Sequence, residues 1–225
     1  MKRQMKSQQS GFTLVEIAIV LVIIGLLLGG ILKGQELINS AKVKNLANDF
    51  RVIPTYIYAY QDKFKALPGD DANVTTHVTG ATLATTPAAS QGNGVINGAW
   101  NSATATDESF LFWQHVRLAN LAAGPTLVTD PTYTPKNAVG GTLGISSLST
   151  TPTNQVQVTG MTGTYQVCSA GILGKFAKQL DIQMDDGNTA TGSLRVVADG
   201  SPLGTAAPAM ATIDDATSYT VCMTF

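Results

Sequence analysis

Residues 10–32 read SGFTLVEIAIVLVIIGLLLGGIL. From Phe12 to Leu32 this run holds one charged residue, Glu16. At 1.5 Å per residue, a helix over the run reaches about 30 Å, the hydrocarbon thickness of a bilayer. A carboxylate inside such a span costs roughly 2.5–3.5 kcal/mol at the helix centre, so Glu16 calls for a compensating group. Upstream, MKRQMKSQQSG carries Lys2, Arg3 and Lys6 and no acid. A positive flank of this kind stays cytoplasmic and sends the chain beyond the apolar run to the other side of the membrane.

Three readings of the amino terminus compete. A secretory signal needs a small-residue cleavage site after the apolar run. After Leu32 the chain reads KGQELINSAKVKN, which continues as a helix. A plain transmembrane anchor fits the length and leaves Glu16 unexplained. In the third reading a leader is cut away before the apolar run, which is retained.

The stretch GFTLVE, followed by an uninterrupted apolar helix, resembles the amino-terminal motif of type IV pilins and of the pseudopilins of type II secretion. The resemblance covers the chain to about Phe50. It implies that prepilin peptidase cuts between Gly11 and Phe12 and that Phe12 becomes N-methylated. It also implies that Glu16 meets the new α-amino group of Phe12 on a neighbouring subunit, setting register during filament assembly. That amine has an unperturbed pKa near 8 and is largely cationic at neutral pH, and an opposite charge makes a carboxylate tolerable in apolar surroundings. Two plainer roles stay open for Glu16. Phe12 and Glu16 are also i and i+4 on one helix, and an acid in a first helical turn favours the dipole.

Beyond Lys33 the pattern changes. Val43, Leu46, Phe50, Ile53, Ile57, Tyr60, Phe64 and Leu67 recur every three or four residues, with Lys42, Lys44, Asp49, Arg51 and Lys63 mostly off the stripe. This predicts an amphipathic helix packed against a globular head. The first half is apolar on nearly every side and suits lipid or other helices. Gly25 with Gly29, and Gly30 with Gly34, are spaced for close helix approach, or for a segment that stretches on assembly. Many type IV pilins have a proline where this chain has Lys33. Pro54 is expected to bend the amphipathic half without ending it. Pro68–Gly69 is expected to mark its stop.

The expected division is therefore a leader over 1–11, a membrane and filament-core helix over 12–33, an amphipathic half over 34–67 and a head over 68–225. Within the head, residues 72–106 read as loops with short strands. DESFLFWQHVRLANLAAGP, beginning at Asp107, reads as a second helix with Trp113 in the core. QVQVTGM, GTYQVCSAG, DIQM, SLRVVAD and SYTVCMTF read as strands, with GILGKFAKQL as a short helix between two of them and a hairpin around Asp186–Gly187. The fold class is α+β, an antiparallel sheet packed on the long helix.

Cys168 and Cys222 form no C-x-x-C motif. In an exported head they read as one disulfide, with two separate buried thiols as the alternative. The resemblance implies a bridge tying a carboxyl-terminal loop to the sheet.

The net charge of −1 and the 13% charged fraction give no basic excess for nucleic acid. His77 and His115 stand outside any recognised catalytic, haem or zinc pattern, and His115 reads as structural or exposed. Paired acids at Asp70–Asp71, Asp185–Asp186 and Asp214–Asp215 read as solvated turn-formers. Some pseudopilins bind calcium in the head, but the sequence designates no ligands, so no cofactor and no metal is assigned. The implied function is a structural, non-enzymatic pilus subunit. It is held in the inner membrane with its head in the periplasm, then polymerised into an extracellular filament by the pilus or secretion machinery. The alternatives are a type II secretion pseudopilin and, from another class, a membrane-anchored periplasmic enzyme or binding protein.

Overall fold

A computed structural model describes Gly11, residues 13–148 and residues 157–225. Residues 1–10, Phe12 and the first residues of QVQVTGM lie outside the described residues. The chain divides into two compact units, the first ending at Ala41 and the second running Lys42–Phe225.

Helix α1 is continuous from Leu14 to Phe64. In the first unit its apolar residues are exposed, Leu26 by 73% and Leu28 by 56%. Such a surface is untenable in water and demands lipid or other helices. The helix is long and apolar enough to cross a membrane. In the second unit α1 buries Val43, Leu46, Ala47, Phe50, Ile53, Ile57 and Tyr60, the stripe that the spacing predicts. Each fully buried Leu, Ile or Phe contributes about 1.5–3 kcal/mol. The helix passes through Pro54, which has no N–H to offer the carbonyl of Phe50. It stops at Phe64 rather than at Leu67, because Lys65 adopts a left-handed conformation at φ 57°.

After the one-turn helix α2 (Val74–His77), the head is organised around α3 (Glu108–Leu118), whose residues Glu108 to Arg117 are all buried. Asn120, at φ 62°, closes α3 short of Gly124–Pro125, where the stretch that reads as helix ends. Trp113 packs in the main core, as expected.

Strands β1 (Leu143–Ser147), β2 (Tyr165–Leu173), β3 (Leu194–Ala198) and β4 (Ser218–Thr224) form an antiparallel sheet ordered β1-β2-β4-β3. Helix α4 (Gly174–Met184) follows β2 directly. Two expectations fail here. DIQM is the last turn of α4, so no hairpin forms across Asp186–Gly187. QVQVTGM gives, among the described residues, only an isolated bridge from Val158 to Thr205.

The sheet is covered on both faces. Ile145, Val167, Ile172, Leu194, Val196 and Val221 join the α1 stripe and α3 in one core. On the other face, Cys168, Cys222 and Val197 pack beneath Trp100, Val158 and Met161. Gly144 lies opposite Cys168, where a Cβ would come within 1.8 Å of the Trp100 carbonyl oxygen. Glycine is what lets the Trp100 segment cross the sheet there.

Cys168 and Cys222 are bonded, buried and directly opposite on β2 and β4, with Cα atoms 4.1 Å apart. The bridge thus joins two neighbouring strands instead of tying a carboxyl-terminal loop to the sheet. The pairing follows from register, since both residues point to the face away from α1.

Candidate functional site

At the amino end of α1, Thr13 stands just before the first helical residue. Its backbone N–H donates to Glu16 Oε2 at 2.8 Å, and its hydroxyl donates to the same oxygen at 2.9 Å. The Glu16 N–H in turn donates to Thr13 Oγ1 at 3.3 Å. These bonds form a reciprocal capping box, which satisfies backbone donors that a helix start leaves without partners. The T-x-x-E spacing is its signal in the sequence, one that assigning Glu16 to a terminal amine passes over. Phe12, the proposed cleavage and methylation residue, lies outside the described residues. Gly11 is exposed, and no atom lies within 4 Å of a Cβ built there. The same holds at Gly25, Gly29, Gly30 and Gly34, through which α1 runs unbroken. The small-residue face is open within the single chain. Lys33 pairs with Glu36 at 2.6 Å, both well exposed, a contact worth little on its own.

In the head, the turn after α1 gathers buried polar groups. Gly69 at φ 92° lies so close to α3 that a Cβ would fall 2.4 Å from the Glu108 carbonyl oxygen. Its N–H donates to His115 Nδ1 at 2.9 Å, and His115 Nε2 faces the Thr82 carbonyl at 2.8 Å. One nitrogen accepts and the other donates, so the imidazole is neutral, and burial lowers its pKa. His115 is structural, as expected of it.

Asp70 and Asp71 are buried acceptors, against the expectation of solvated turn residues. Asp70 takes the amides of Gly92, Asn93 and Gly94 at 2.6, 3.1 and 2.7 Å. Asp71 Oδ2 accepts the Tyr60 hydroxyl at 2.9 Å and sits 2.7 Å from His77 Nδ1. The His77 ring stacks on Phe64 with centroids 5.5 Å apart. Glu108, fully buried, accepts from the Ser90 hydroxyl and from the backbone and side-chain nitrogens of Asn97. Burial nevertheless raises the pKa of both Asp70 and Glu108.

Farther along α3, Gln114 accepts the Thr82 amide, and Arg117 donates to the carbonyls of Pro125 and Tyr133. The effect of these groups is to moor long loops to α1 and α3. A cleft of about 590 Å³ opens beside the turn, lined by Gln61, Phe64, Asp70, Asp71, His77 and Tyr165 among others.

Residues 6–32 match the prokaryotic N-terminal methylation motif, the signature of type IV pilins and pseudopilins. No curated protein and no solved structure matches the chain.

Proposed function

We propose that this chain is a structural subunit of a type IV pilus. Prepilin peptidase removes residues 1–11, Phe12 is methylated, and the apolar half of α1 holds the subunit in the inner membrane with its head in the periplasm. The subunit then polymerises through that half into an extracellular filament used for adhesion, motility or DNA uptake. Its work is mechanical, with the pilus assembly machinery and further copies of itself as partners. The observation that carries this reading is the methylation motif over residues 6–32 on a helix whose first half exposes an unbroken apolar surface. Within that surface, Glu16 and the amine of Phe12 supply the charge pair that fixes subunit register.

Mass spectrometry of the native amino terminus tests the processing step. N-methylated Phe12 is expected; a chain starting at Met1, or one cut after Leu32, overturns the reading. A second reading, a pseudopilin of a type II secretion system, is kept because the disulfide joins adjacent strands and does not follow the loop-tying arrangement usual in pilins. Imaging sheared surface filaments for this subunit separates the two.

A further inference from the structure

The chain holds two Asn–Gly pairs, Asn93–Gly94 and Asn97–Gly98, both on the loop between α2 and α3. Such pairs are prone to lose the side-chain amide, because the freedom of glycine lets its nitrogen reach the side-chain carbonyl carbon. The fold treats the two in opposite ways. Asn97 is buried, and its Nδ2 donates to Glu108 Oε2 at 3.0 Å and to the Val95 carbonyl at 3.2 Å. Its leaving group is held on two sides and kept from water.

Asn93 and Gly94 are exposed. The Val95 N–H donates to Asn93 Oδ1 at 2.8 Å, an Asx turn, which brings the side-chain carbonyl towards the next backbone nitrogen. Asn93 Nδ2 has no hydrogen-bond partner among the described residues. The Gly94 N–H donates to Asp70 Oδ2 at 2.7 Å. Asp70 is 2% exposed, and the Gly92 and Asn93 amides hold its other oxygen at 2.6 and 3.1 Å. A base on the nucleophile's proton, a donor on the carbonyl oxygen and an untethered leaving group thus meet at one side-chain carbon.

We propose that Asn93 is a site of self-deamidation in which Asp70 is the general base. Asp70 takes the proton from the Gly94 nitrogen as that nitrogen attacks Asn93 Cγ. The new N–Cγ bond closes a five-membered succinimide, and the Val95 N–H steadies the charge that develops on Oδ1. The Cγ–Nδ2 bond then breaks, and ammonia leaves with the proton that Asp70 returns. Water opens the ring at Cγ to give aspartate, or at the backbone carbonyl carbon to give isoaspartate. Either product sets a second negative charge beside Asp70, and isoaspartate also lengthens the backbone by a carbon. Gly92, Gly94 and Asp70 line the cleft of about 590 Å³, so the reaction loosens one wall of that cleft for good. The proposal is independent of the filament reading.

The test incubates the native full-length protein in detergent beside a synthetic peptide of residues 88–99, in the same neutral buffer. Peptide mapping by mass spectrometry follows the exchange of NH2 for OH at each asparagine. Asn93 should react at least about tenfold faster in the native chain than in the peptide, a fraction of the roughly 10²–10⁴-fold that a placed base supplies. Asn97 should react more slowly in the native chain than in the peptide. Asp70→Asn keeps an acceptor of the same shape and removes the base, so Asn93 should fall back towards the peptide's rate. A protected Asn97 in that variant reports that the loop is still folded. A native gain at Asn93 below about tenfold overturns the proposal, whether or not the variant folds. So does a wild-type rate at Asn93 in an Asp70→Asn chain whose Asn97 stays protected.

Discussion

Cys168 and Cys222 face each other across β2 and β4, buried in the second core beneath Trp100, Val158 and Met161. The bridge closes a sequence separation of 54, which in the chain-entropy account stabilises by about 4 kcal/mol. The double variant Cys168→Ser, Cys222→Ser should therefore unfold at markedly lower denaturant concentration, with the loss confined to stability. Far-UV circular dichroism of the full-length chain in detergent, followed through a urea titration, checks this. An unchanged midpoint would show that the bridge adds nothing.

Glu16 can be tested for its cap and its charge separately. Glu16→Gln keeps an acceptor for Thr13 in the capping box and removes the charge, while Glu16→Ala removes both. Both variants should be cut at Gly11, as read by amino-terminal mass. If charge pairing with the Phe12 amine drives assembly, both should yield few sheared filaments. Filament yield at wild-type level in Glu16→Gln would assign the residue to capping alone.

Gly144→Ala should destabilise the head by about 1–3 kcal/mol, the usual range for overpacking. The added methyl has nowhere to go but into the Trp100 carbonyl. A Tm within experimental error of wild type would show that the Trp100 crossing gives way freely.

Asp49 is half-buried on α1 beside Tyr56, and burial pushes its carboxyl up to about 6. Its folded pKa thus lies above the unfolded value, so the native state holds the proton more tightly. Stability contributed by this group is present below about pH 4 and is lost as pH rises through about 6. Asp49→Asn should match wild type in Tm near pH 4 and exceed it near pH 7.5. Parallel thermal melts at the two pH values check the sign, and a constant gap between the variants would contradict it.

The long helix was legible in the sequence because hydrophobicity alone dictates it: an all-round apolar half, then a stripe from Val43 to Tyr60 that the core buries as spaced. β2, β3 and β4 were legible from the β-branched and aromatic residues around Val167, Val196 and Val221. β1 was not. LGISS carries a single β-branched residue, Ile145, and is recruited by pairing with β2. DIQM misled because a short apolar–polar alternation is compatible with either period, and continuity with GKFAKQL settles it as helix. The burial of Asp70 and Asp71 was hidden, since the amide partners of Asp70 at Gly92, Asn93 and Gly94 arrive from a distant loop. Sequence proximity alone marks such acids as turn formers.

The reciprocal bonds of Thr13 and Glu16 involve no atom on the amino side of the Gly11–Phe12 peptide bond. A protease severing that bond would leave these three bonds in place. If the proposed scission takes place, the helix carries its own cap up to the point at which a new end is offered to a neighbour.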